Sequence, residues 1–112
     1  MRALNRASLA VLLVLSVGAA RAEKIDAGPW KVSAQAVDRG RVVKVSGSVS
    51  GPACKSLRLD IFTHDDKGSR GHVIATVNNV GASRKFFDGS DATWGGGSRP
   101  QISSAYARCL SQ

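Results

Sequence analysis

Hydrophobic and polar residues alternate along most of the chain after residue 22, and no window there keeps the apolar stripe of a helix. In residues 30–37 and again in residues 41–50, every second side chain is small or apolar. An Arg-Gly pair at 39–40 predicts a two-residue turn, which would place Ala36 opposite Val43. The apolar faces of the two strands then coincide, as a hairpin on a core requires.

Turn-forming residues divide the rest of the chain into further short strands. Residues 56–64 and 71–77 flank a segment in which Gly68 can adopt a left-handed conformation, so they predict a second hairpin. The other predicted strands are residues 84–87, 92–94 and 102–110, with a turn at 88–91, a glycine-rich loop at 95–100 and a loose segment before Trp30. Six or seven short strands indicate an all-β fold, a small antiparallel β-sandwich of the immunoglobulin type, with an open barrel as the alternative.

Two segments resemble a known family. Val43-Lys-Val-Ser-Gly-Ser-Val and Leu57-Arg-Leu-Asp-Ile-Phe-Thr-His-Asp-Asp-Lys-Gly are similar to the FxLYD-type immunoglobulin-like domains, in which an alternating strand leads into a D-x-x-G turn. The chain has Ile61-Phe62-Thr63-His64-Asp65 in place of the family's Leu-Tyr-Asp segment. The resemblance implies an extracytoplasmic β-sandwich and no specific function, because many functions share this fold.

The first 22 residues have the pattern of an export signal. Two arginines lie within the first six residues, residues 9–17 form an apolar run, and Ala20-Arg21-Ala22 fits a small-x-small cleavage site. The run is about half of the roughly 20 apolar residues that cross a bilayer. We expect cleavage before Glu23, a single mature domain over residues 23–112 without a transmembrane segment, and a periplasmic or secreted location.

The chain has two cysteines, Cys54 and Cys109, and an oxidising compartment favours a disulfide bond between them. This bond would join residues 55 positions apart and would contribute about 4 kcal/mol by chain-entropy reasoning. Two free thiols, a metal-binding pair and an intermolecular bridge are the alternatives. Because the sequence has no Cys-x-x-Cys motif, a thioredoxin-like redox role is not expected.

Two histidines flank the second predicted turn. If residues 66–68 form a three-residue loop, His64 lies opposite Arg70 and diagonal to His72, whereas a loop shifted by one residue places the histidines directly opposite. In either register both project from the outward face, within about 5–8 Å of each other. With Asp65 or Asp66 nearby they could bind Cu(II), Ni(II) or Zn(II), and a solvated hairpin tip is the alternative.

Two further features are candidate binding surfaces. Phe62 and Ile74 fall on the same outward face as the histidines, where exposed apolar side chains would mark a contact surface unless a loop covers them. Their predicted neighbours on this face are Arg58, Asp60 and Thr76. The segment that could cover them holds Phe86, Phe87 and Trp94. Trp94 begins a segment that runs through three glycines to Arg99, so it combines an aromatic anchor with an adaptable backbone. A long connection between strands is the alternative for this segment.

The net positive charge of the chain indicates an anionic partner. The formal net charge is +8, and about +5 is left without the arginines of the predicted leader. In an exported protein the usual anionic partners are lipid phosphates, surface polysaccharides and acidic protein patches. Nucleic acid is not expected, because no recognised binding motif accompanies the charge. A solvated surface that only aids solubility is the alternative.

Catalysis and a cofactor are not expected. The sequence has no Gly-x-Ser-x-Gly motif, its cysteines are assigned to a disulfide, and its acidic residues fall mostly in turns or at strand ends. We therefore predict a non-catalytic binding module that recognises another envelope or extracellular macromolecule. The alternatives are an inhibitor or immunity protein of a cell-wall hydrolase, a metal-binding protein using His64 and His72, and a structural accessory subunit.

Overall fold

The computed structural model describes residues 22–95 and 99–112, and these residues form two antiparallel sheets of four and three strands. The strands are β1 (Glu23–Ala27), β2 (Trp30–Asp38), β3 (Val43–Ser50), β4 (Cys54–His64), β5 (Arg70–Val80), β6 (Lys85–Asp91) and β7 (Gln101–Ser111). Most of the predicted leader, residues 1–21, and residues 96–98 of the predicted glycine-rich loop lie outside the described ranges. Within those ranges no helix has the length and apolar character to cross a membrane.

The two sheets, β1-β2-β3-β6 and β5-β4-β7, pack face to face around one core. Every second residue of the long strands is buried, as the alternation predicts. Val32, Val45, Leu59, Ile61 and Val73 are buried between the sheets. Each of these side chains contributes about 1.5–3 kcal/mol when it leaves water. The predicted all-β sandwich of six or seven strands is confirmed, with seven strands in the described residues.

The predicted register of the first hairpin is wrong by two residues. Ala36 pairs with Val45, because the loop between β2 and β3 has four residues and begins after Asp38. The Asp38 Oδ1 atom accepts a hydrogen bond from the Gly40 amide at 2.7 Å, and Gly40 adopts a left-handed φ of 85°. This local side-chain bond favours the longer loop. Since side chains alternate with a period of two, the shift leaves the same residues facing the core.

Three other strand predictions are also wrong. Residues 23–27, expected to be loose, form β1 and pair with β2. Residues 88–91, predicted to be a turn, belong to β6. Residues 92–94, predicted to be a strand, form a turn at 92–93 followed by Trp94 in irregular structure. Glycine at position 89 lets β6 continue through this segment in close contact with β5. A Cβ atom added at Gly89 would lie only 2.7 Å from the Val73 Cγ1 atom.

The predicted Cys54–Cys109 disulfide is confirmed. It joins β4 and β7, which are neighbours in the three-stranded sheet, with a Cα–Cα distance of 5.9 Å. In antibody domains the corresponding bond joins the two sheets, and the strand order also differs. The protein therefore shares the two-sheet architecture of immunoglobulin domains and has its own strand order.

Carboxylates from the larger sheet each accept a hydrogen bond from one amide on an edge strand of the three-stranded sheet. Asp91 accepts a hydrogen bond from the His72 amide on edge strand β5 at 2.7 Å, and Glu23 accepts one from the Ile102 amide on edge strand β7 at 3.0 Å. These bonds satisfy amides that would otherwise be open to pairing with another chain. Burial is the largest single influence on the pKa of Asp91 and raises it, but the hydrogen bonds from Thr93 and His72 together lower the pKa below its ordinary value.

Candidate functional site

The outer face of the three-stranded sheet collects most of the residues that the sequence singles out. Because Leu57, Leu59 and Ile61 point into the core, the residues between them on β4 point outward. The pairing of β4 with β5 and β7 adds residues from both neighbours to this surface. We call it the β5–β4–β7 face, and its central members are Arg58, Asp60, Phe62, His72, Ile74, Tyr106 and Arg108.

Asp60 lies at the centre of a hydrogen-bonded cluster on this face. Arg58 donates to both carboxylate oxygens of Asp60, at 3.0 Å from Nε and 3.1 Å from Nη2. The His72 Nε2 atom lies 2.7 Å from Oδ1 of the same carboxylate. The hydrogen bond from Arg58 lowers the pKa of Asp60 most strongly, against a smaller raising effect of burial. The same bond raises the pKa of Arg58, so both groups are charged at neutral pH.

An aromatic cluster lies beside Asp60. The Phe62 ring stacks on the His72 ring, with centroids 4.3 Å apart and an interplanar angle of 14°, and the Tyr106 ring meets Phe62 edge-on at 5.9 Å. Tyr106 is 60% exposed and Ile74 is 49% exposed. None of the three aromatic residues considered as a cover lies over Ile74, because Phe87 and Trp94 are buried in the core and Phe86 is exposed on the opposite sheet. The face therefore presents apolar surface to solvent.

The histidines occupy the first of the two registers that the sequence allows. Residues 66–68 form the loop tip, His64 lies opposite Arg70, and Phe62 lies opposite His72, so the histidines are diagonal neighbours. The His64 Nδ1 atom is hydrogen-bonded to the Ser103 hydroxyl, whereas His72 is bonded to Asp60. Across residues 22–95 and 99–112 no group of three or more metal-ligating side chains is present.

Asp65, a candidate third ligand in the sequence analysis, holds the loop instead. Its buried side chain accepts hydrogen bonds at Oδ1 from the amides of Lys67, at 2.9 Å, and Ser69, at 2.8 Å. These bonds fix the tip of the hairpin and leave the carboxylate pointing into the fold.

Trp94 is in the core and not on the surface, where the sequence analysis expected an anchor. Its side chain is 2% exposed, and an added Cβ at Gly71 would lie 3.3 Å from its ring. Arg99 is exposed, but residues 96–98 between them lie outside the described ranges. The sequence misleads here because Trp94 lies in a turn, outside the alternating pattern that assigns strand residues to a face.

Tyr106 and Arg108 are the members of the face that the sequence analysis missed. Both lie on β7, where they point outward because Ala105 and Ala107 face the core. In the register, Arg108 is directly opposite Arg58 and Tyr106 is opposite Asp60. The alternation in residues 102–110 indicates that Tyr106 and Arg108 point outward. Only the pairing of β7 with β4 places Tyr106 beside Phe62.

The charged groups give the face a positive character, since Arg58, Arg70 and Arg108 outnumber the Asp60 carboxylate. Comparison of the chain with protein-family models, curated proteins and solved structures found no match. The function is therefore argued from the chemistry of this face.

Proposed function

We propose that this protein is a small exported, non-catalytic binding module whose β5–β4–β7 face binds an acidic patch on another envelope or extracellular protein. The observation that carries the proposal is an apolar strip on the sheet, flanked by arginines, in which exposed Ile74 and Tyr106 lie on either side of half-buried Phe62. The leader-like pattern of residues 1–22 and the disulfide are both consistent with export.

The composition of the face supports a protein partner. Tyrosine and arginine are enriched at the energetic centres of protein interfaces, where an aromatic ring supplies contact area at small entropic cost. Tyr106 and the arginines at 58 and 108 provide this combination within neighbouring strands. Ile74 extends the apolar area on the other side of β4.

The charge arrangement supports an acidic partner. Like charges directly opposite each other on neighbouring strands destabilise a sheet, and Arg58 and Arg108 are such a pair. Asp60 forms hydrogen bonds with Arg58, but no salt bridge to Arg108 is found within the described ranges. A partner carboxylate placed beside Arg108 would therefore supply the countercharge that Asp60 supplies to Arg58.

The face is also preorganised. The hydrogen bonds from Arg58 and His72 to Asp60 hold these side chains in one arrangement, and His72 in turn stacks on Phe62. A surface whose side chains are already fixed loses less conformational entropy on binding.

Site-specific photo-crosslinking in the native host tests the proposal. A photoreactive phenylalanine replaces Tyr106 in one variant and Phe86 in the control, because Phe86 is 79% exposed on the opposite sheet. We expect a discrete protein adduct from position 106 and none from position 86. Adducts from both positions, or from neither, would contradict the proposal.

A charge reversal makes the test specific to the face. In the crosslinking variant at position 106, Arg108→Glu removes the repulsion with Arg58, so the domain should be as stable as before or more stable. We nevertheless expect the adduct to disappear, since an acidic partner would meet a carboxylate. An adduct that persists with Arg108→Glu would show that charge complementarity does not guide binding.

A further inference from the structure

A cleft of about 410 Å³ lies on the outer face of the other sheet, across β1, β2 and β3 and beside the start of β6. It is on the opposite side of the sandwich from the β5–β4–β7 face. Ser33, Ser48 and Ser50 contribute to its lining, with Ser33 directly opposite Ser48 on the neighbouring strand. We call it the serine cleft.

Short side chains between long ones explain why this part of the sheet is concave. Ser48 and Ser50 alternate along β3 with core residues, so their hydroxyls point to the outer face. Strand positions usually carry β-branched or aromatic residues, whose larger side chains would fill the space. Each serine hydroxyl can both donate and accept hydrogen bonds, so the serines add polar groups of both kinds to the cleft.

Cations line the cleft on both sides. Lys24, on β1, is directly opposite Ser33, and Arg84 directly precedes β6, where Lys85 pairs with Val49. The strands β1 and β6 are three sheet spacings apart, about 14 Å, so two long side chains can reach over the serines from opposite sides. Within the described part of the chain, neither Lys24 nor Arg84 forms a salt bridge.

The cleft also contains one ion pair. Asp26 and Lys31 contribute to the lining, and the Lys31 Nζ atom lies 3.0 Å from the Asp26 Oδ1 atom. Since these charges compensate each other, the uncompensated charge of the cleft is that of Lys24 and Arg84. A phosphate monoester carries a charge of about −1.5 to −2 at pH 7 and three acceptor oxygens, which matches two cations and a group of hydroxyl donors.

We propose that the serine cleft binds the phosphate monoester of a polyol, with Lys24 and Arg84 holding the phosphate and the serine hydroxyls bonding to the phosphate and polyol oxygens. The volume of about 410 Å³ lies within the range of small-molecule sites and has room for the polyol as well as the phosphate. This site is independent of the protein-binding face, because it lies on the opposite sheet.

Amide chemical shifts of ¹⁵N-labelled protein test the site without an activity assay. Glycerol phosphate is the soluble probe, glycerol the uncharged control, and vesicles with phosphatidic acid present the same monoester on a lipid. We expect saturable shifts at Ser33 and Ser48 with glycerol phosphate and none with glycerol. Cosedimentation with the phosphatidic acid vesicles, and not with vesicles of phosphatidylcholine alone, would assign the lipid as a further source of the monoester.

Paired variants decide whether the cleft is responsible. Lys24→Gln with Arg84→Gln should weaken glycerol phosphate binding by at least about tenfold, the effect of losing charge-assisted hydrogen bonds. Lys55→Gln with Arg41→Gln removes the same charge from exposed positions outside the cleft and should leave binding unchanged. The absence of saturable shifts, or equal weakening in both double variants, would overturn the proposal.

Discussion

Replacement of Trp94 by alanine tests whether this residue belongs to the core, as the structure shows, or to a binding surface, as its glycine-rich neighbourhood suggests. The indole is 2% exposed and is among the largest fully buried side chains of the described residues. It packs near Gly71 at the start of β5, where both sheets contribute to the core. Removal of this ring would leave a cavity that the rigid strands around it cannot close.

The expected cost follows from this burial. Truncation of a buried tryptophan to alanine lowers the free energy of unfolding by about 3–5 kcal/mol. Domains of this size have a total stability of about 5–15 kcal/mol, so the loss is a large fraction. It corresponds to a decrease in Tm of more than about 12 °C, at about 4 °C or more per kcal/mol for a small domain.

Urea denaturation followed by far-ultraviolet circular dichroism measures the effect. Trp94→Phe should cost less than half as much, since it keeps most of the buried ring and removes an Nε1 group that has no hydrogen-bond partner among the described residues. Phe86→Ala, at a 79% exposed position, should change the free energy of unfolding by less than about 0.5 kcal/mol. A Trp94→Ala protein as stable as the Phe86→Ala protein would refute the buried placement.

Three further predictions concern the disulfide, the central carboxylate and the contact between β5 and β6. Cys54→Ser with Cys109→Ser should lower the free energy of unfolding by about 2–5 kcal/mol in chemical denaturation, and an unchanged Tm would show that the bond contributes nothing. The pKa of Asp60 is lower in the folded protein, so its stabilising effect is complete above its unfolded pKa of about 3.9 and is lost as the pH falls through the folded value. The stability difference between wild type and Asp60→Asn, measured by urea denaturation, should therefore be largest at neutral pH and shrink below about pH 4, whereas a pH-independent difference would contradict this origin. Gly89→Ala should cost about 1–3 kcal/mol, because its Cβ would approach Val73 to 2.7 Å, and a neutral effect on Tm would show that β5 and β6 are not in close contact.

The two binding surfaces lie on opposite sides of one sandwich and differ in chemistry. The β5–β4–β7 face is an aromatic surface with arginines, whereas the serine cleft is a depression lined by three serines, with long cationic side chains around it. If both proposals hold, the protein can bind a phosphorylated polyol and a protein at the same time. Variants at Arg108 and at Lys24 should then impair the two interactions separately.

The sequence by itself predicted the fold class, the core-facing residues of the alternating strands and the disulfide, whereas it missed the buried Trp94. These properties depend on local alternation and on the presence of just two cysteines, and both can be read without knowing which strands are neighbours. The two-residue error in the first hairpin shows the same point, because a shift of two keeps Ala36 and Val45 on the buried face.

Only the tertiary structure decided the composition of the two surfaces. Tyr106 reaches Phe62 because β7 pairs with β4 across more than forty residues of sequence, and no local pattern specifies that pairing. Likewise, Lys24, Ser48 and Arg84 line one cleft because β6 returns to pair with β3. Long-range strand pairing is set by how the two complete sheets bury their apolar faces against each other, so it arises from the whole fold and cannot be read from any one segment.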